Sequence, residues 1–204
     1  MAAEADGSTA GGRPSAVRDR ILATASDLFY RHGVHAVGVD LVVKESGIAK
    51  TSLYRHFGNK DTLIAAFLQE EDADFWRQWD AVADEHRDDP AAELEAHLAW
   101  IQARLRRPGY RGCPQLNVAA EFPAPDHPAR QVAAAHKEEM RRRLSDIAGR
   151  MGLPEPKDVG AQLALALDGA FMSAPLGGGD QIAATLASTV HALLTAPRAQ
   201  AESS

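Results

Sequence analysis

The chain has 204 residues, 45% of them apolar, with a net charge of −6 and a single cysteine. That is enough apolar material for a real core, as one large domain or two small ones, and the lone Cys113 excludes an internal disulfide and suits a reducing cytoplasm. No uninterrupted apolar run approaches the roughly 20 residues of a membrane helix, and Glu4 and Asp6 stand where a secretory signal would be apolar.

Residues 1–14 are rich in Ala, Gly, Ser and Thr, the composition of a disordered arm. Val17, Ile21, Ala25 and Leu28, with Leu22 and Phe29, then form an apolar stripe at helical spacing that stops near Gly33. Gly38 is placed to cap a second helix, and Asp40 in its first turn faces the positive end of the helix dipole. That helix ends at Glu45-Ser46-Gly47, and a third runs from about Lys50 to Phe57. Two short helices joined by a tight turn at Ser46-Gly47-Ile48 have the layout of a DNA-reading helix-turn-helix.

The fourth helix opens at Asp61 and carries Leu63, Ile64, Phe67, Leu68, Phe75 and Trp79 until Asp88-Asp89-Pro90 breaks it. A fifth has the stripe Leu94, Leu98, Ile101 and Leu105 and ends at Pro108-Gly109. Cys113 to Phe122 reads as a short sixth helix closed by Pro123 and Pro125, with Asp126-His127 as a loop cap. Pro128 to about Met151 is the seventh, stopped by Gly152 and Pro154. Val159–Ser173 and Asp180–Ala196 are the last two, separated by Pro175 and three glycines, before a tail at 199–204. The expectation is an all-α chain of about nine helices, with a three-helix DNA-binding head at 15–60 and a helical body at 61–198.

Charge supports that division. Residues 13–60 hold eight Lys or Arg and four Asp or Glu, a balance of +4, so the remainder carries −10. A basic module on an acidic body is the electrostatic footprint of a polyanion-binding head. On the third helix Leu53 and Phe57 lie four apart and face the core, while Thr51 and Arg55 point nearly opposite. Thr51 and Arg55, flanked by Lys50, are therefore candidates for base edges: an Arg fork matches guanine O6 and N7, and a Thr methyl can meet a thymine methyl. Tyr54, His56 and Lys60 are placed for the phosphate backbone, fixing register without reading sequence.

Ile21…Ala25…Leu28-Phe29…Gly33, followed by the unbroken run from Ser46 through Lys50-Thr51-Ser52-Leu53-Tyr54-Arg55-His56-Phe57 to Lys60 and Leu63, resembles the TetR family of bacterial transcriptional regulators. The resemblance covers about residues 15–65. It implies a homodimer with one three-helix head per subunit and a ligand-sensing all-α body. By the same resemblance Lys50 and Thr51 match base-contacting positions, and Tyr54, His56 and Lys60 phosphate-contacting ones. Gly38 and Thr51 depart from the family, which often has Ser or Thr, and Gly or Ala, at those places; both departures bear on the operator sequence.

In the body, Val159–Ser173 is apolar nearly all round and the last helix has the stripe Ile182, Leu186, Val190, Leu193. Together they suit a two-fold four-helix dimer interface, which the resemblance also implies; the alternative is that both fill the core of a single subunit. Candidates for effector contacts are His97, Trp100 and Arg104 on one face of the fifth helix. Cys113, Leu116, Asn117 and Phe122 around the sixth, His136 on the seventh and Asp168 on the eighth complete the set, since aromatic walls with a few polar groups make a small-molecule site. Each has a plainer reading as core packing, and for Cys113 an inert buried thiol is commoner than a redox sensor. No His-x-x-x-His metal pair, Gly-rich phosphate loop or nucleophile elbow is present, so neither an enzyme nor a cofactor is expected. The function expected is a ligand-released repressor on a pseudo-palindromic operator. An activator of the same architecture, or a protein-docking module, is the alternative.

Overall fold

The computed structural model describes residues 16–196, so the expected arm at 1–14 and tail at 199–204 lie outside the described residues. Among these are nine α-helices and no strand: α1 (Ala16–His32), α2 (Val39–Ser46), α3 (Lys50–Phe57), α4 (Lys60–Glu85), α5 (Pro90–Leu105), α6 (Pro114–Glu121), α7 (Pro128–Arg150), α8 (Pro156–Ser173) and α9 (Gly179–Thr195). The all-α expectation holds, with boundaries displaced by at most about three residues.

Local chemistry sets most of the boundaries. Proline occupies the start of α5, α6, α7 and α8, where its missing N–H costs nothing and its fixed φ favours the helix. Asn59 and Asp89 cap α4 and α5 by accepting first-turn amides, Asn59 from Thr62 at 2.8 Å and Asp89 from Ala91 and Ala92 at 3.1 and 3.0 Å. The His127 ring caps α7 in the same way, accepting from the Ala129 amide, as its place in the Pro-flanked loop predicts. Gly47 ends α2 with φ +64, donating to the Val43 and Lys44 carbonyls, and makes the sharp turn that sets α3 across α2.

Two apolar cores result. One gathers Ile21, Phe29, Val42, Leu53 and Phe57 from α1–α3 around Leu63, Ile64, Phe67 and Leu68 of α4, and Val118, Ala129 and Ala133 of α6 and α7 close it from the body side. The other runs from Phe75 and Trp79 in the second half of α4 through α5, α7, α8 and α9. Helix α4 thus serves both. α7 and α8 meet most closely at Gly160, where a Cβ would stand 2.2 Å from Ser145 Oγ and 2.5 Å from Ser145 N; only glycine admits that approach.

Within the single subunit, Leu186 and Val190 of α9 are buried in its own core, with Ile182 and Leu193 packed against it. Apolar exposure sits instead on α8 and the 3₁₀ turn after it: Leu165 is 75% exposed, Met172 38% and Leu176 88%. Read with that turn, α8 spans 21 residues that include an 18-residue stretch of mean hydropathy 1.3, long and apolar enough to cross a membrane by composition, although Asp168 interrupts the run. Here its inward side is packed between α7 and α9.

Candidate nucleic-acid interface and effector cavity

α3 is anchored by Leu53 and Phe57, fully or almost fully buried between α1 and α2. Arg20 of α1 donates from Nε to the Ser46 carbonyl at 2.8 Å, tying α1 to the turn before α3. With one face so fixed, Thr51, Tyr54 and Arg55 project into solvent, and His56 and Lys60 sit half-buried at the edge. Lys50 is also exposed, but its Nζ is 2.7 Å from Asp40 Oδ1 of α2, and that hydrogen bond lifts its pKa above the usual lysine value. The arrangement of cationic and hydroxyl groups on a rigid, exposed helix is what entry into a major groove requires. Arg18 of α1 sits beside it, its guanidinium 5.2 Å from the Phe57 ring centroid.

A hollow of about 300 Å³, counted out to solvent, opens in the body between Glu71, Phe75, Arg104, Tyr110, Cys113, Pro114, Gln115, His136 and Phe171. Only about 20 Å³ of it is free in this state, room for roughly one water. Arg104 faces Glu71 at 3.7 Å. Burial pushes the Glu71 carboxyl above its ordinary pKa, against the pull of Arg104, and burial likewise raises Tyr110. His136 Nδ1 shares Asp72 Oδ1 with the Trp76 indole N–H, at 2.6 and 2.7 Å. Burial lowers the His136 pKa, with Asp72 opposing.

Of the nine residues expected at an effector site, Arg104, Cys113 and His136 line this hollow. His97, Trp100 and Arg104 do share the face of α5 that meets α4, as their spacing predicts, but the helices run past one another and spread them out. His97 stacks on Trp79 at 3.7 Å and Trp100 donates to Gln78. Leu116 packs into the body core. Asn117 faces a separate cleft with Tyr30 and Arg111, and Phe122 stacks on His127 at 3.8 Å. Asp168 is held by Lys137 at 2.6 Å. The residues missed are Glu71 and Phe75 of α4, Tyr110 of the loop after α5, Pro114 and Gln115 of α6, and Phe171 of α8; four separate segments supply them, and no local pattern marks those segments as neighbours.

α6 joins the cavity to the head. Pro114 and Gln115 in its first turn line the hollow, and Glu121 in its last turn grips the loop after α1. The Glu121 carboxylate accepts the amides of Val34 and His35 at 3.3 and 3.0 Å, and the His35 ring meets the Glu121 carbonyl at 3.0 Å. Beside it Tyr30 donates to the Gly112 carbonyl and accepts the Arg111 amide.

The same arrangement is found in known proteins. The family profile described as bacterial regulatory proteins, tetR family, matches residues 21–67, which span most of the head. The crystal structure of SCO4454, a TetR-family transcriptional regulator from Streptomyces coelicolor, superposes with a TM-score of 0.84 at 31% identity, over 87% of this chain and 94% of that one. The chain belongs to the TetR family. As a TetR-family DNA-binding transcriptional regulator it is not an enzyme. It is also similar to the regulator LmrA of Bacillus subtilis, 32% identical over 123 residues, which span 59% of this chain and 65% of LmrA. The repressor SCO4008 of Streptomyces coelicolor is 29% identical over 65% of this chain and 70% of its own length.

Proposed function

We infer that this TetR-family regulator is a repressor that binds a pseudo-palindromic operator as a homodimer in the cytoplasm and is released by a small molecule in the body cavity. The observation that carries the reading is α3: two buried anchors on one side, and Lys50, Thr51 and Arg55 on the other at base-reading positions, with Tyr54, His56 and Lys60 at phosphate-reaching ones. One head cannot read a palindrome, and a second must sit about 34–36 Å away. The exposed Leu165 and Met172 of α8 and Leu176 of the 3₁₀ turn after it, with α9 beside them, supply an apolar face for the two-fold contact. Repression is preferred to activation because SCO4008, named a repressor, resembles this chain over 65% of its length.

The effector needs a route to the heads, and two run from the cavity. Glu71 and Phe75 stand on the same helix as the head-core residues Leu63 to Leu68, and α6 touches cavity and head at its two ends. An effector that fits only a widened hollow therefore favours one placement of the head over the other, which is what allostery demands.

The test is a mobility shift with the DNA beside its own gene across a salt series. Selective binding whose affinity falls steeply with salt, weakened by Arg55→Ala and by Lys60→Ala, supports the reading. Operator binding that survives both substitutions would remove α3 as the reading helix. Weak binding, equal on random DNA, would point to the protein-docking alternative.

A further inference from the structure

The cavity has a chemistry of its own. Gln115, 1% exposed, lines it. Its Nε2 donates to the Leu68 carbonyl at 3.0 Å, which fixes the amide orientation, since a carbonyl oxygen takes only a donor. Oε1 is left, among the described residues, without a hydrogen-bond partner. Buried polar groups are normally satisfied, so this atom on the hollow marks a place where a guest's hydrogen bond goes. Gln115 Oε1 is an acceptor and asks the guest for a donor.

Three further features narrow the guest. The walls include the rings of Phe75, Phe171 and His136, which favour an aromatic ring at their edges and faces. Glu71 and Arg104 already neutralise one another across 3.7 Å. A charged guest would take one of them and leave its partly buried partner without its counter-ion, a cost that a neutral guest avoids. The free space in the hollow, about 20 Å³, is far below that of a drug-sized ligand site, so the smallest aromatic guest, one ring with a small substituent, is the scale. With so little of it free at rest, the ring enters only as the walls part.

We propose that the effector is a small neutral aromatic molecule that donates a hydrogen bond to Gln115 Oε1, the phenol class; this rests on the reading of the hollow as the effector site. Anisole has the ring of phenol without the donor, and benzoate and benzylamine add a charge of either sign. Calorimetric titration of the full chain with these four is expected to show one saturable site for phenol. Anisole should bind about tenfold more weakly, the equivalent of one net hydrogen bond, and both charged probes more weakly than anisole. Gln115→Met should bring phenol and anisole to equal affinity, with thermal unfolding confirming that the variant is folded. Equal affinity of phenol and anisole for the unaltered chain would overturn the proposal with no variant needed. So would a charged probe that binds more tightly than phenol, or the absence of saturable binding by any probe. Mobility shifts on the same preparation separate the two readings. Selective DNA binding without a phenol preference overturns the ligand class alone, whereas loss of selective DNA binding overturns the regulator reading whatever the probes do.

Discussion

Lys50 is pulled two ways. Its ammonium is at the front edge of α3, the helix proposed to read DNA, yet is bound to Asp40 at 2.7 Å, so in the free protein a carboxylate stands where the proposed phosphates or base edges would come. Asp40→Asn is expected to tighten operator binding severalfold by removing a negative charge from the interface, and Lys50→Ala to weaken it about tenfold. Fluorescence anisotropy at fixed salt reads both, and unchanged affinity in the two variants would place Lys50 outside the interface. His97 offers a second test. Burial, with the positive charges of Arg143, His86 and Arg150 adding to it, holds its pKa at about 4 against an ordinary 6.5, so the folded ring resists a proton that the unfolded chain accepts. The resulting stability is intact above pH 6.5 and is lost as pH falls from 6.5 towards 4, on the order of 3 kcal/mol in all. His97→Phe keeps a ring against Trp79 and should flatten that part of the stability–pH curve, as followed by denaturant unfolding. An equally steep curve in the variant would mean that another group carries the dependence.

At the scale of helices, the short α6 has the most to do. Its Glu121 carboxylate holds two amides of the loop after α1. Glu121→Ala should therefore speed hydrogen exchange at Val34 and His35 by at least about tenfold while leaving Leu28 protected, the pattern of a local opening and not a global one. Unchanged exchange at both amides would show that the latch is dispensable. How far such elements are legible in a sequence depends on how local their cause is. The faces of α3 follow from four-residue spacing, and Leu53, Phe57, Thr51 and Arg55 lie where that spacing puts them. The α7 cap at His127 follows from the flanking prolines. The cavity does not follow, because Glu71, Gln115 and Phe171 meet only through helix packing, while His97, an equally reasonable candidate by spacing, is drawn off by the Trp79 ring. The α9 stripe has the period of an interface, but period alone does not distinguish a subunit's own core from a partner's.

Across the whole molecule, the largest feature without a partner in the subunit is the outer side of α8. Leu165→Glu places a carboxylate on a side chain that is 75% exposed here and costs a single subunit little. In the proposed dimer it buries charge at the two-fold contact. Sedimentation velocity should show a shift to monomer, and operator affinity should fall sharply with each head still folded. A dimer that persists would move the interface elsewhere. The two-core architecture has a practical consequence for anyone exchanging parts among such regulators. The head's core is completed by Leu63, Ile64 and Phe67 of α4 and by Val118, Ala129 and Ala133 from well beyond residue 60. A fragment cut at residue 60 would therefore expose half of its own interior to water. This head is not a detachable cartridge: a chimera built on it has to import the first two turns of α4 and supply small apolar residues in the places of 118, 129 and 133.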